Sequence, residues 1–406
     1  MTRLVIMADD LTGACDTGAG FAQRGWRTTV SLEAANAAAS NADVHVICTA
    51  SRYLPQAEAV RAVQIAARSI SPAVAYVYKK IDSTLRGHPG AELFALMNAL
   101  SAERALITPA FPAQGRSVVD SRLYVHGQPL EQTVFAAEAP SGDLRTVFAS
   151  SQWPYVALAL ADVRAGPIHL RQQLSQSVMC IADAETDADL SALAEAASAS
   201  GIRVWCGSAG LAHALATLLP THREALLSHN AIPLTSQHGA VLVIAGSQHP
   251  ATARQIAYAE HIGMTVVHAP LTFTHDVAPS ALAQLAQDTR TALSGGKDVI
   301  ITPAGLPPSP LGQHLVAKRL GALAAQVLSE APVAGLVLTG GDVAAAVCGA
   351  LGAQQLALCG EVQPGIAMGA LGDGPYAGLR VVTKAGGFGD DAALLSAIGA
   401  LHTSGV

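Results

Sequence analysis

Two textures alternate along this chain. Short β-branched apolar runs recur between longer alanine- and leucine-rich stretches, the pattern of strands alternating with helices around a largely parallel sheet. In the first half the runs predict strands at residues 4–8, 28–32, 45–49, 75–79 and 105–108, with helices such as 56–69 and 90–100 between them. The segment SVVDSRLYVHGQPLEQTVF, residues 117–135, breaks that rhythm and predicts an inserted hairpin with a His126-Gly127 turn. Residues 221–239 mix polar residues with Pro and Gly and end the periodicity. It restarts with strands at 241–245, 265–268, 298–302, 335–339 and 380–383. The expectation is an α/β protein of two domains, residues 1–230 and 238–406, each a largely parallel sheet flanked by helices, with a ligand cleft between them.

Three times in the second half a buried strand runs through glycine or serine into a helix: VLVIAGSQHPATARQI, GLVLTGGDVAAAVCGAL and RVVTKAGGFGDDAALLSAI. In a parallel sheet such turns gather at the carboxyl edge, where ligands bind. Each offers free backbone N–H groups at a helix start, and glycine lets a phosphate come close. Neither a G-x-x-x-x-G-K-[ST] loop nor a G-x-G-x-x-G fingerprint occurs, which speaks against a P-loop protein and an NAD-dependent dehydrogenase. Asp342, directly behind Gly340-Gly341, suits a Mg²⁺ bridging phosphates or, structurally, a helix N-cap.

The first half carries charge instead of glycine at its strand ends. In MADDLTGACDTG, Asp9 and Asp10 follow a strand and cannot both face one side, so one is expected to cap the next helix and the other to face ligand. Thr12 and Asp16 share a helix face. Ionised carboxylates only accept hydrogen bonds, so their partners are hydroxyls or a metal; caps and turn bonds are the structural alternative. In YVYKKIDSTLRGHPGAEL, Lys79, Lys80, Asp82, Ser83, Arg86 and His88 crowd behind another strand, and Arg52 follows a third. Cations for an acid group and carboxylates for hydroxyls describe a sugar-acid pocket. The alternative is a solvated loop with a local Asp82–Arg86 pair.

Composition narrows the field. Of 406 residues, 50% are hydrophobic and 13% charged, which favours a large core over disorder. A net charge of -6 without basic runs predicts a small-molecule partner, neither nucleic acid nor membrane. The 6 cysteines form no C-x-x-C pair and read as buried thiols of a reducing compartment. With no signal-peptide or membrane-span pattern, the expected location is the cytoplasm, and a homo-oligomer is left open. The histidines lack metal-ligand spacing, and GSAGLA at Gly207 is a strand–helix turn without the G-x-S-x-G of a hydrolase.

The runs ADDLTGACDTG, KKIDSTLRGHPGAEL, PAFPAQGRSVV, GSAGLA, TGGDVA, GEVQPGIAMG and TKAGGFGD, in this order over nearly the whole chain, resemble the four-carbon acid sugar kinase family. The resemblance implies an N-terminal domain for the sugar acid and a C-terminal domain for ATP. It implies γ-phosphoryl transfer to the terminal hydroxyl of threonate, erythronate or 3-oxo-tetronate, with Mg²⁺. Carried over by motif, substrate contacts fall on Asp10, Arg52, Lys80, Ile81, Asp82, Ser83 and Arg86, with Asp10 and Asp82 as catalytic candidates. Nucleotide contacts fall on Ser247, Gly340, Gly341, Asp342, Val343, Gly386 and Gly387, and a metal on Asp342. Val343 departs from the threonine of many relatives. The inserted segment looks more like the threonate and erythronate types than the 3-oxo-tetronate type. A non-catalytic sensor of a sugar acid or nucleotide is the rival from another class.

Overall fold

A computed structural model describes residues 2–33, 42–150, 152–220, 239–269, 279–303 and 310–403 of the chain. It divides into two compact units, Met1–Leu227 and Ser228–Val406. Except for Gly239, the segment expected to separate the domains lies outside the described residues.

In the first unit the strands are β1 Leu4–Ala8, β2 Thr28–Ser31, β3 Val44–Cys48, β4 Tyr76–Lys80, β5 Ala105–Thr108, β6 Arg116–Val119, β7 Arg122–Val125, β8 Gln128–Pro129, β9 Tyr155–Leu158, β10 Met179–Ala182 and β11 Val204–Gly207. A parallel sheet runs in the order β2-β3-β1-β4-β11-β5-β10-β9. Every residue of β1 is buried, as expected of a strand covered by helices on both faces. Helices α1 Leu11–Ala22, α2 Gln56–Ala67 and α3 Pro89–Leu100 follow β1, β3 and β4. Val5, Met7, Ile47, Val63, Val77 and Leu96 pack between the sheet and α2 and α3. Each such side chain contributes about 1.5–3 kcal/mol on burial.

The insertion is a three-stranded antiparallel meander, β6-β7-β8. The expected His126-Gly127 turn joins β7 to β8, with φ of 49° and 78°. A second two-residue turn, Asp120-Ser121 with φ of 50° and 59°, joins β6 to β7 and was not anticipated. Its backbone is held from outside. Asp183, just past β10, accepts hydrogen bonds from the N–H of Asp120 (2.7 Å) and of Ser121 (2.9 Å).

The second unit contains β12 Val241–Ala245, β13 Thr265–Ala269, β14 Val299–Pro303, β15 Gly335–Thr339, β16 Gln355–Gln363, β17 Ile366–Leu371 and β18 Arg380–Lys384. Their order is β13-β14-β12-β15-β18-β17-β16. All neighbours are parallel except β17, which runs antiparallel to β16 and β18. Val243, Ile256, Val337, Val382 and Leu394 belong to its core. Among the described residues no helix is long and apolar enough to cross a membrane. All six cysteines are free.

Candidate active site

The three charged strand ends of the first unit converge. Parallel pairing sets Ala8 beside Cys48 and Lys80, so the residues following β1, β3 and β4 leave the same sheet edge together. Arg52 stands at the centre. Its Nε donates to Asp9 Oδ2 (2.8 Å) and its Nη2 to Asp9 Oδ1 (2.8 Å) and Asp10 Oδ1 (2.7 Å). Asp82 Oδ1 lies 3.8 Å from the same nitrogen. Burial opposes the charge on Arg52, but Asp10, Asp9 and Asp82 hold its pKa well above the ordinary value. Burial likewise pushes Asp9 up, and Arg52 beside it prevails, leaving that carboxyl below its ordinary value.

The two aspartates divide their work differently from the expectation of one cap and one free group. Asp10 is the N-cap of α1, accepting from Gly13 N (3.0 Å) and from Thr12 Oγ1 (2.6 Å). Yet Asp10 is also the more open side chain, 13% exposed against 5% for Asp9. Asp9 is consumed by the arginine. The anticipated Asp82–Arg86 pair forms with two parallel bonds of 2.9 Å, with Asp82 buried and Arg86 a quarter exposed, a drier setting than a solvated loop. Thr84 also donates to Asp82 through its N–H and hydroxyl. Despite burial, Arg86 and Arg52 hold the Asp82 carboxyl well below its ordinary pKa. A carboxylate so stabilised is a weak base.

Lys79 and Lys80 point to opposite sides of β4, as strand alternation requires. Lys79 is fully buried in an ion pair with Glu92 (2.8 Å), which also accepts from Ser51 Oγ (2.9 Å). The carbonyl of Lys80 accepts from Lys79 Nζ (3.0 Å), but the Lys80 ammonium, on a residue 5% exposed, has no ion-pair or hydrogen-bond partner among the described residues. Its ammonium lies against the first turn of α1. A Cβ at Gly13 would stand 2.5 Å from Asp10 Oδ1 and 2.7 Å from Lys80 Nζ, so only glycine admits both groups. Ser83 is buried alongside, and the N–H of Ile81 is used by Gly207 O (2.9 Å). The backbone carries strain here: Ala50 and Leu85 have φ of 50° and 61°, two residues before Arg52 and one before Arg86.

One residue of this unit escaped the sequence reading. Arg116, at the start of the insertion, is buried with its Nε unpartnered. Its guanidinium lies 5.9 Å from the Phe135 ring centroid, and that of Arg86 lies 6.0 Å from it. Burial pushes the Arg116 pKa down, opposed by the nearby Asp82 charge. An arginine directly after a glycine turn, in a chain so poor in charge, was the available signal.

In the second unit, register sets Ala245 beside Thr339 and Thr339 beside Lys384, so the three glycine-bearing turns emerge together. They touch. A Cβ at Gly386 would fall 1.9 Å from Ser247 Oγ, and one at Gly340 3.6 Å from Ser247 Cβ. Gly340 has φ 94° and donates its N–H to Lys384 O (2.9 Å). A Cβ at Gly387 would lie 3.2 Å from the His249 ring. Gly340, not Asp342, caps the helix Gly341–Ala350, and no side chain caps it. Asp342 is exposed in the first turn. Val343 turns its side chain inward, toward Gly246, where an added Cβ would meet Val343 Cγ2 at 2.4 Å. The missing hydroxyl therefore concerns a buried position packed against the turn at Gly246. Gly386→Ala is expected to lower stability by ~1–3 kcal/mol, because Ser247 must move to relieve the overpacking. Chemical denaturation of the variant checks it.

GSAGLA is a packing device. Ser208 caps the helix Ala209–Leu218 and bonds Ala110 O (2.8 Å), and a Cβ at Gly210 would meet that same carbonyl at 2.5 Å.

Comparison with known proteins extends this geometry. Residues 4–215 match a family described as "Sugar-binding N-terminal domain", and residues 242–394 one described as "Nucleotide-binding C-terminal domain". The chain is 38% identical to a D-threonate kinase of Cupriavidus necator, covering 98% of each. It is 34% identical to a D-threonate kinase of Salmonella typhimurium, over 98% of this chain and 97% of that one. A D-erythronate kinase of Heliobacterium modesticaldum is 31% identical over 99% and 98%. A crystal structure from Salmonella typhimurium LT2, 21% identical, superposes with a TM-score of 0.81 over 98% of this chain and 99% of that one, a likeness of fold. With both domain families matched and relatives of this identity spanning nearly the full chain, the protein belongs to the four-carbon acid sugar kinase family and is a phosphotransferase.

Proposed function

We propose that this enzyme transfers the γ-phosphoryl group of ATP to the 4-hydroxyl of a four-carbon sugar acid of the threonate or erythronate type, yielding the 4-phosphate. The first unit holds the acid and the second the nucleotide. The observation that carries the reading is Lys80, a buried ammonium without an acceptor among the described residues, next to the partly open carboxylate of Asp10. A buried cation calls for an anion, and the carboxylate beside it suits hydroxyls. Together they fit a hydroxy acid. Identities of 34%, 36% and 38% to D-threonate kinases, against 28–31% to 3-oxo-tetronate kinases, favour the threonate type.

In this reading Arg52 shapes the site by fixing Asp9, Asp10 and Asp82, and Asp82 fixes Arg86. Asp10 accepts a hydrogen bond from the substrate hydroxyl, while Lys80, Ser83 and Arg116 receive the acid group. The amides of Gly341, Asp342 and Val343 and the turn at Gly386-Gly387 cradle phosphates, with Ser247 against them. A single exposed carboxylate at a phosphate turn is a donor set that Mg²⁺ accepts, since this ion takes one or two carboxylates plus phosphate oxygens and water. Asp342 would hold it, and the ion would supply neutralisation of phosphate charge. Positioning and electrostatics carry most of the rate in such transfers.

ADP release measured over D-threonate, D-erythronate and 3-oxo-tetronate tests the proposal, with ³¹P NMR of the product locating the phosphate. Turnover with none of the three, or a phosphate on another oxygen, would refute it. Arg116→Met is expected to raise the KM for the acid about tenfold or more, as loss of a charge-assisted hydrogen bond of roughly 1.5–3 kcal/mol implies. The KM for ATP should not move. A KM for the acid unchanged in that variant would remove Arg116 from the pocket.

A further inference from the structure

Lys384 ends β18 and is fully buried, yet no carboxylate is paired with it among the described residues. Its ammonium donates instead to three main-chain carbonyls of the turn that follows: Ala385 O (3.0 Å), Gly386 O (3.3 Å) and Phe388 O (3.1 Å). Two side chains of the helix Pro250–His261 complete the pattern. Thr252 Oγ1 donates to Gly386 O (2.9 Å), and Gln255 Nε2 to the carbonyls of Phe388 (3.1 Å), Gly389 (3.3 Å) and Asp390 (2.9 Å). The carbonyls of this turn are thus gathered toward interior donors.

A trans peptide is planar, so its N–H points opposite to its C=O. With the carbonyls of Ala385, Gly386 and Phe388 drawn to Lys384, the N–H groups of Gly386, Gly387 and Gly389 are directed away from it. No hydrogen bond engages those three N–H groups among the described residues. Successive N–H groups turned to one side form an anion-binding concavity. The same turn presses Gly386 against Ser247 and meets β15 through the Gly340–Lys384 bond, which joins the concavity to the other two glycine turns.

We infer that Lys384 is a positioning residue for the nucleotide site: its buried amino group locks the turn in the orientation that presents these amides to phosphate. The inference rests on the reading that ATP occupies these turns. Burial pushes the Lys384 pKa down to about 7, so near neutral pH the amino group is only partly charged, and in either form its N–H groups donate to the turn's carbonyls. A lysine kept only for packing would be replaced by methionine without loss of fit.

The test is steady-state kinetics of Lys384→Met with each substrate varied, beside Gly386→Ala and Lys384→Arg. The KM for ATP is expected to rise tenfold or more in Lys384→Met, with the KM for the acid unchanged and kcat at saturating ATP within about threefold. Lys384→Arg, which restores charge and donors, is expected to recover part of the loss. An unchanged KM for ATP in Lys384→Met, or a fall in kcat with both KM values intact, would overturn the inference. Should Lys384→Met not fold, Lys384→Gln takes its place; failure of both to fold makes Lys384 a core residue and also overturns it. If Gly386→Ala weakens ATP binding while Lys384→Met does not, only the role of Lys384 fails. If neither does, the nucleotide lies elsewhere and the underlying reading fails with it.

Discussion

Asp10→Asn is expected to lower kcat by roughly 10²–10⁴-fold, the usual contribution of a positioned acid–base group. The substitution removes the charge, and with it the ion pair to Arg52 Nη2, but keeps the helix cap. Asparagine is as good an N-cap as aspartate, so the bond from Gly13 N to the side-chain oxygen survives and α1 keeps its start. Arg52 keeps both oxygens of Asp9. What disappears is the negative charge on Asp10, which is partly open and free of a bidentate arginine, unlike Asp9 and Asp82. The KM for ATP should stay near that of the parent enzyme. Full activity of Asp10→Asn toward every four-carbon acid would pass the role to another group. Asp82 is a poor substitute, because Arg86, Arg52 and Thr84 all stabilise its ionised form.

The largest structural effect belongs to Arg52→Met. Removing one partner of a buried ion network leaves charges uncompensated, at about 3–5 kcal/mol. In a unit of this size that corresponds to a melting temperature lower by roughly 6–20 °C. The effect has a definite pH dependence. In the parent protein Asp9 and Asp82 titrate below the ordinary carboxylate value of 3.8. Their stabilisation is therefore complete above about pH 4 and is lost as the pH falls through the depressed values. Without Arg52, burial dominates at Asp9 and drives its pKa upward, so protonation relieves the variant at a higher pH. The gap between parent and variant should be widest near pH 7 and narrow toward pH 4. Melting curves at the two pH values decide it, and a constant gap would mean that packing, not charge, accounts for the loss.

How much of the site could be read in advance varies with the kind of residue. The glycine turns at Ser247, Gly340 and Gly386 were visible because each ends a buried strand, and strand ends in a parallel sheet must share an edge. Arg52 was visible as a charge after a strand, but the carboxylates it pairs with were not. Its neighbours Asp9 and Asp10 arrive from 43 and 42 residues away. Local sequence cannot reveal which charges will neutralise one another across such a separation. Arg116 and Lys384 were missed for a related reason. One lies in an insertion whose docking depends on Asp183 at the end of β10, and the other looks like the last residue of an ordinary strand.

The chain's own pattern determined the α/β class, most strand positions and the presence of acidic, basic and glycine-bearing strand ends. Those features depend on short-range periodicity and on the few residues that tolerate a tight turn. The antiparallel β17, the second turn of the insertion and the long-range partners of Arg52 and Lys79 were decided only by the fold. Pairing energies in a buried network depend on distance and desolvation, and both exist only once the strands have been laid side by side.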